Sequence, residues 1–130
     1  MKVMVVDDDP IVLEVTRERL EAAGYEVLPR QSPLGTSAAI LRDRPDLVLL
    51  DVKMPGLGGD VLARMLSSNP AANRPALVLH SSGSRDDLLR LARSCGAVGA
   101  ITKTSDSGVF MRQLEECMAV AGLRASPPSR

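Results

Sequence analysis

Polar side chains that can handle metal ions and phosphate follow directly after four short apolar segments of this chain: Asp7, Asp8, Asp51, Ser81, Ser82 and Lys103. Short and almost wholly apolar segments are typical of strands that are buried on both faces. A residue that follows such a strand stands where the chain leaves the sheet and meets water. Because Met54-Pro55-Gly56 and a later pair of glycines enforce a turn, we expect the Asp51 carboxylate to be displayed at the lip of a crevice and not buried.

These residue types suit phosphoryl transfer if the fold brings them together. Neighbouring carboxylates repel one another, and a hard divalent cation with oxygen ligands relieves the repulsion. Mg²⁺ is the natural guest, because it takes one or two carboxylates and keeps positions open for a phosphoryl oxygen. A lysine and a hydroxyl on the opposite side can hold the other phosphoryl oxygens. Asp51 would then attack a phosphoryl donor and become an acyl phosphate, while the metal ion and Lys103 neutralise the transferred charge.

Each of these residues also has an ordinary structural interpretation. Asp7 and Asp8 could be solvated turn residues, and Asp51 could close an Asx-turn. Ser81 or Ser82 could cap the next helix, and the lysine could be a surface charge. The combination favours a site, because an acid pair, an acid, a hydroxyl and a lysine at the ends of four strands would be an unusual coincidence.

Five apolar segments alternate with five amphipathic segments along the chain. The predicted strands are 2–6, 25–28, 47–50, 76–79 and 98–101. The helices after them are predicted to end at Gly24, near Asp43, near Asn69-Pro70, at Gly96 and at Gly122. Asp9 is interpreted as the N-cap of the first helix and is left out of the site. The inward-facing residues are predicted to be Leu34, Ala38 and Leu41 in the second helix, and Val61, Leu62, Met65 and Leu66 in the third.

Alternation with short connections predicts a parallel sheet with right-handed crossovers and helices on both faces. The predicted fold class is α/β, a doubly wound five-stranded parallel sheet in the common order 2-1-3-4-5. This order places the second strand, which is followed by Pro29 and Arg30, at an edge. Ligands of such sheets bind beyond the carboxyl ends of the strands, where the winding direction reverses. The polar residues that follow strands one, three, four and five are therefore expected on one rim.

Length, charge and cysteine content exclude several classes of protein. The chain has 130 residues, enough for one domain with its own core, and 16 basic residues balance 16 acidic ones. We therefore expect no binding to nucleic acid or to a membrane surface. Met1 leads straight into the first strand without a leader or a spanning segment, which indicates a cytoplasmic protein. Cys95 and Cys117 lie on apolar helical stripes and are expected to be reduced core residues.

Taken together, these motifs resemble the receiver domain of a bacterial two-component response regulator. The resemblance covers residues 1–121, from Val-Val-Asp-Asp-Asp-Pro through Leu-Leu-Asp-Val-Lys-Met-Pro-Gly to Cys-Gly-Ala-Val-Gly-Ala-Ile-Thr-Lys. Residues 122–130 are expected to form a flexible tail or the start of a linker. The resemblance implies the flavodoxin-like fold of a chemotaxis receiver. It also implies a signalling protein that takes part in its own phosphorylation and dephosphorylation but is not otherwise an enzyme.

The resemblance also implies roles for single residues. The implied magnesium ligands are Asp8, Asp51, the backbone carbonyl of Lys53 and, through water, Asp7. Asp51 would be the phosphoacceptor, Ser81 the hydroxyl that moves towards the phosphoryl group, and Lys103 the cation that pairs with it. His80 is given no catalytic role. The implied partners are a sensor histidine kinase or a phosphotransfer protein, and a downstream protein that the sequence does not identify.

Three positions depart from the family pattern. Ala100 stands where many receivers carry an aromatic residue that reports the movement of the hydroxyl, so we expect modest coupling to the fourth helix. Thr104 stands where many have a proline in a cis bond, so we expect a trans bond after Lys103. The N-cap of the last helix is then expected to be Thr104 or Ser105. A Gly-Gly pair at 58–59 replaces Asp-Gly and is expected to change loop stiffness more than chemistry.

Two functions of different classes follow from the sequence. The first is a signalling module whose affinity for a protein partner changes when Asp51 is phosphorylated. The second is a degenerate receiver that binds its partner constitutively, through the fourth helix and fifth strand, without phosphate. A flavin or nucleotide enzyme on the same fold is disfavoured because no glycine-rich phosphate loop follows the first strand.

Overall fold

The computed structural model describes residues 1–68 and 75–123. Five strands, β1 (Lys2–Val6), β2 (Glu26–Arg30), β3 (Leu47–Leu50), β4 (Ala76–Ser81) and β5 (Gly99–Thr102), alternate with five helices, α1 (Pro10–Ala22), α2 (Thr36–Asp43), α3 (Gly59–Ser67), α4 (Arg85–Cys95) and α5 (Ser107–Val120). The predicted end of the third helix near Asn69-Pro70 and the predicted tail beyond Leu123 lie outside the described residues. In the described part of the chain, no helix has the length and apolar character needed to cross a membrane.

All strands of the sheet are parallel, and their order is β2-β1-β3-β4-β5, which confirms the predicted fold class. The four residues of β3 are fully buried, as expected for a strand between two layers of helices. β2 lies at an edge and continues to Arg30, two residues beyond its predicted end. Pro29 is tolerated there because an edge strand has backbone positions that need no ladder hydrogen bond.

Successive side chains of each central strand point to opposite faces of the sheet, and this alternation divides the core into two clusters. Met4, Val48 and Leu79 pack with α2, α3 and α4 on one face. Val3, Leu49 and the other alternate residues pack with α1 and α5 on the second face. Cys95 belongs to the first cluster and Cys117 to the second, and both are buried free thiols, which confirms the predicted core positions.

The predicted inward faces of α2 and α3 are partly wrong. Leu34, Leu41, Val61 and Met65 are 72%, 62%, 43% and 56% exposed, and Ala38 is also exposed. The buried residues of α2 are instead Thr36, Ala39 and Ile40. In α3 the predicted Leu62 is buried, together with Gly59 and Ala63. In α2 the cause is a turn before the helix. Gly35 adopts a left-handed conformation (φ 78°) and the Pro33 carbonyl accepts hydrogen bonds from Thr36, so the helix begins at Thr36 and Leu34 lies outside it.

Several helix termini lie where the sequence signals place them. The Asp9 carboxylate caps α1, the Ser84 hydroxyl caps α4, and Gly96 ends α4 in the left-handed conformation. At α5 the expected cap is wrong, because the Asp106 carboxylate accepts from the backbone N–H groups of Gly108 and Val109. A carboxylate both caps the helix and complements its dipole, and these two effects favour aspartate over a hydroxyl.

The peptide bond between Lys103 and Thr104 is trans, as expected. The Thr104 hydroxyl accepts a hydrogen bond from the backbone N–H of Asp106 at 3.1 Å. This contact orients the residue that caps α5 and gives Thr104 a local structural role.

Candidate functional site

Two carboxylates stand at the carboxyl ends of the central strands β1 and β3. The backbone N–H of Asp51 donates to the Val6 carbonyl at 3.0 Å, and that of Asp7 donates to the Arg30 carbonyl at 3.0 Å. These bonds continue the two strand ladders by one residue each. They fix the backbone of both aspartates to the sheet, so the carboxylates converge above its carboxyl end.

The expectation that Asp51 is displayed to solvent is wrong. Its exposed fraction is 3%, and Asp7 is fully buried. The chain that follows β3 folds back over Asp51, because the Gly59 N–H donates to the Asp51 carbonyl at 2.8 Å and the Lys53 N–H donates to Asp51 Oδ1 at 3.3 Å. A turn after a strand can cover the preceding side chain as well as expose it, and here it covers it.

The glycines of this loop permit the close approach. A Cβ atom on Gly59 would lie 2.3 Å from the Asp51 carbonyl oxygen, and one on Gly58 would lie 2.6 Å from the Val52 carbonyl oxygen. Both distances are too short for a non-bonded contact between carbon and oxygen, so no other residue fits at either position without a backbone shift. The Gly-Gly pair therefore holds the start of α3 against the phosphoacceptor candidate, a constraint beyond the loop stiffness expected from the sequence.

Lys103 joins the two carboxylates. Its Nζ lies 3.0 Å from Asp7 Oδ2 and 3.4 Å from Asp51 Oδ1. Its backbone N–H donates to the Ser81 carbonyl at 2.9 Å, which extends the β4–β5 ladder and sets the origin of the side chain. One positive charge faces two negative charges, so the cluster of Asp7, Asp51 and Lys103 carries a net negative charge.

The carboxylates have the arrangement that a divalent cation requires. Asp7, Asp8 and Asp51 each offer one oxygen, and the three oxygens lie within 4.8 Å of one another. Asp7 Oδ1 accepts from the Asp9 N–H at 2.9 Å, whereas the buried Oδ2 has no defined hydrogen bond and faces the Lys103 ammonium at 3.0 Å as an ion pair. Buried carboxylate oxygens without hydrogen bonds are costly. A set of hard oxygen donors with uncompensated negative charge therefore fits Mg²⁺.

The pKa values of two groups reflect this crowding. Burial raises the pKa of Asp51, the charge of Asp7 raises it further, and Lys103 opposes both effects in part. Burial acts to lower the pKa of Lys103, but its contacts with Asp7 and Asp51 outweigh that effect and the pKa is raised. Lys103 is therefore a permanent cation at neutral pH, and the charged form of Asp51 is stabilised by any cation that enters the site.

The two serines after β4 occupy different surroundings. Ser81 is the last residue of β4 and is 1% exposed, whereas Ser82 is exposed and lines a cleft beside α1. Ser81 is joined to the site through the backbone of Lys103. This contact involves the backbone of Ser81, so the choice of Ser81 and the role assigned to its hydroxyl stay predictions.

His80 is buried behind the site. It is 2% exposed, and its ring meets the Phe110 ring edge to face with centroids 5.6 Å apart. Burial, and to a smaller extent the charges of Lys103 and Arg19, lowers the pKa of His80 to about 3. The imidazole is therefore neutral at physiological pH and packed into the core, and the absence of a catalytic role for His80 stays a prediction.

Comparisons with known proteins identify the family to which this chain is similar. Residues 3–115 match the family described as the response regulator receiver domain. The transcriptional regulatory protein CseB of Streptomyces avermitilis is 30% identical over 98% of this chain and 53% of its own length, and the phosphate regulon transcriptional regulatory protein PhoB of Pseudomonas aeruginosa is 34% identical over 92% of this chain and 52% of its own. The chain thus spans about half the length of the curated relatives it matches.

A solved structure shows the same fold. The BeF3-activated N-terminal receiver domain of Klebsiella pneumoniae RstA superposes with a TM-score of 0.78 at 30% identity, covering 91% of this chain and 98% of that one. The sheet order, the acidic rim with its lysine, and the family match over most of the chain lead to one conclusion. This chain belongs to the response regulator receiver domain family.

Proposed function

We propose that Asp51 accepts a phosphoryl group in a magnesium-dependent reaction and that the phosphorylated form has a changed affinity for a protein partner. The observation that carries the proposal is the convergence of Asp7, Asp8 and Asp51 within 4.8 Å beside the Lys103 ammonium. A degenerate receiver would have no need to keep an uncompensated, buried negative charge at this rim. The complete acidic set therefore disfavours the constitutive alternative.

In the proposed reaction a carboxylate oxygen of Asp51 attacks the phosphorus atom of the donor. A new oxygen–phosphorus bond forms while the bond between phosphorus and the donor's leaving group breaks, and the leaving group departs with the electron pair. A carboxylate leaving group stays ionised, whereas a more basic one takes a proton from solvent. Asp7, Asp8 and Asp51, with the carbonyl of Lys53, would hold Mg²⁺. The ion would supply charge neutralisation for the phosphoryl oxygens.

The remaining groups act on the product. Lys103 can move from its two carboxylate partners to a phosphoryl oxygen, because its flexible stem allows a small displacement of the ammonium. The Lys53 N–H, which already donates to Asp51 Oδ1, holds the carboxylate plane during attack. We propose the Ser81 hydroxyl as the donor to the third phosphoryl oxygen.

Receiver domains act with histidine kinases or phosphotransfer proteins, and we propose such a protein as the phosphoryl source for this chain. The proposed output is a change of partner affinity and not catalysis on another molecule. Because the chain matches about half the length of its curated relatives, the identity of the downstream partner is a separate question from the chemistry of Asp51.

Mass spectrometry of the intact protein tests the proposal. We expect one added phosphoryl group after incubation with Mg²⁺ and a small acyl phosphate, and none when EDTA replaces Mg²⁺. Asp51→Asn should remain unmodified. Asp46→Asn is the matched control, because Asp46 accepts from the Lys2 N–H at the opposite end of the sheet, and it should be modified like the wild type. An unmodified wild type, or an equal adduct on Asp51→Asn, would support the constitutive module instead.

A further inference from the structure

Arg85 connects three elements next to the site. It is the first residue of α4 and follows Ser84, the N-cap of that helix. Its Nε donates to the Ala100 carbonyl of β5 at 3.2 Å, and its Nη1 lies 2.7 Å from Glu116 Oε2 of α5. The side chain therefore spans from the start of α4, across β5, to the outer surface of α5.

The position of β5 explains this contact. β5 is an edge strand, so its outward backbone groups have no neighbouring strand to pair with. Arg85 supplies a donor to one of them, and the Gln113 side chain of α5 accepts from the Thr102 N–H at 2.9 Å. Two side chains from α4 and α5 thus hold the same strand edge. The Ala100 carbonyl also accepts from Cys117 Sγ at 3.8 Å. A displacement of the start of α4 that draws Arg85 away would leave that contact as the one described for this carbonyl.

The start of α4 is tied closely to the site. Ser81 ends β4, and α4 begins at Arg85 after a loop of three residues, 82–84. Within that loop Gly83 has a φ of 113° and nothing lies within 4 Å of the place where its Cβ would stand. All three loop residues are exposed, so the loop has room to move, and Arg85 is the first helical residue that such a movement reaches.

The Arg85 contacts are also easily exchanged. The Glu116 side chain is 54% exposed and that of Arg85 is 27% exposed, and water can replace either partner of an ion pair at the surface. A change at Ser81 therefore needs little free energy to release this pair. Such a contact is suited to a conformational change that one phosphoryl group must drive.

We propose that Arg85 is a positioning residue that transmits the phosphorylation state of Asp51 to α5, by exchanging its contacts with Ala100 and Glu116 when the 82–84 loop moves. This inference rests on the proposed function of Asp51. The coupling between the site and α5 would then run through the Arg85 side chain, which reaches across the edge of β5. Release of Arg85 also frees the Glu116 carboxylate, so the phosphorylated surface of α5 gains an unpaired negative charge.

Nuclear magnetic resonance of ¹⁵N-labelled protein with beryllofluoride and Mg²⁺, a mimic of the phosphoryl group, tests the inference. In the wild type we expect shifts in the amides of 82–84, in the Arg85 side-chain Nε–H, and in the amides of 115–117. In Arg85→Gln and in Glu116→Gln the loop should respond as in the wild type, while the shifts at 115–117 become smaller by about twofold or more. The Glu116 variant leaves α4 untouched, so the same loss in both variants cannot come from a damaged helix.

Arg90→Gln is the matched control. Arg90 is another arginine of α4, but its partner is Asp87 of the same helix, so its loss should leave the response at 115–117 unchanged. If the loop responds while the Arg85 Nε–H does not, or if the α5 response persists in both variants, Arg85 does not transmit the signal and the proposed function stands without it. If the loop fails to respond in the wild type, the proposed function fails and this inference fails with it.

Discussion

Lys103→Met will be less stable than the wild type by about 3 kcal/mol in the absence of divalent cations, as measured by urea unfolding at neutral pH in EDTA. Asp7 and Asp51 are fully or almost fully buried, and the Lys103 ammonium lies 3.0 Å and 3.4 Å from their oxygens. The substitution leaves two buried carboxylates facing each other without this cation. Breaking a buried ion pair from one side costs more than the pair contributes, because the remaining charge has no water around it.

Mg²⁺ should raise the free energy of unfolding of Lys103→Met by more than it raises that of the wild type. A cation that binds the folded state stabilises it by mass action, and the variant offers a more negative site than the wild type. Phosphorylation should nevertheless be about a hundredfold slower, since the fixed positive charge opposite the metal site is lost. Lys2→Met is the control, because Lys2 donates to a backbone carbonyl at the other end of the sheet and its loss should cost less than about 1 kcal/mol. If Lys103→Met were as stable as Lys2→Met, Lys103 would not balance the carboxylate pair.

His80→Leu should remove a large part of the acid sensitivity of the fold. The pKa of His80 is lowered from 6.5 to about 3 by burial, with smaller effects from Lys103 and Arg19. Between pH 6.5 and pH 3 the His80 imidazole is therefore protonated in the unfolded chain and neutral in the folded chain. The contribution of the neutral His80 to the free energy of unfolding is fully present above pH 6.5 and is lost as the pH falls from 6.5 towards 3. At pH 5 the wild type should have lost about 2 kcal/mol through this residue, and at pH 7.5 almost nothing.

Urea unfolding at pH 7.5 and pH 5 measures this difference. The carboxylates titrate in both proteins and cancel in the comparison, so the stability of His80→Leu relative to the wild type should rise by about 2 kcal/mol between the two pH values. Leucine has a volume close to that of histidine, and it also removes the Nε2 atom that has no hydrogen bond in the buried ring. Equal losses of stability in the two proteins would show that His80 is protonated in the folded state.

The strands and the position of the site could be predicted because they depend on local signals. An apolar run such as Leu47–Leu50 indicates a central strand that is buried on both faces. The topology of a doubly wound sheet brings the residues after such strands together at the carboxyl end of the sheet. The capping carboxylate of Asp9 and the terminal Gly96 are local signals of the same kind. None of these predictions needed the position of a distant side chain.

The remaining errors concern contacts between distant parts of the chain. Asp51 is covered because the loop to Gly59 folds back and Lys103 reaches across from β5. The start of α2 depends on the left-handed turn at Gly35, and the position of that turn decides which residues of the helix face the core. Arg85 and Glu116 are 31 residues apart, and no periodicity in the sequence links them. Long, flexible side chains carry little information in the sequence about which distant group they reach.

The most direct test of the central claim is the chemical identification of the modified residue. Borohydride reduces an acyl phosphate to an alcohol and would convert a phosphorylated aspartate to homoserine. After treatment with Mg²⁺ and a small acyl phosphate, followed by reduction and peptide sequencing, we expect homoserine at position 51 and aspartate at positions 7 and 8. Homoserine at another carboxylate, or a phosphoryl group that survives reduction on a serine or histidine, would contradict the assignment of Asp51 as the phosphoacceptor.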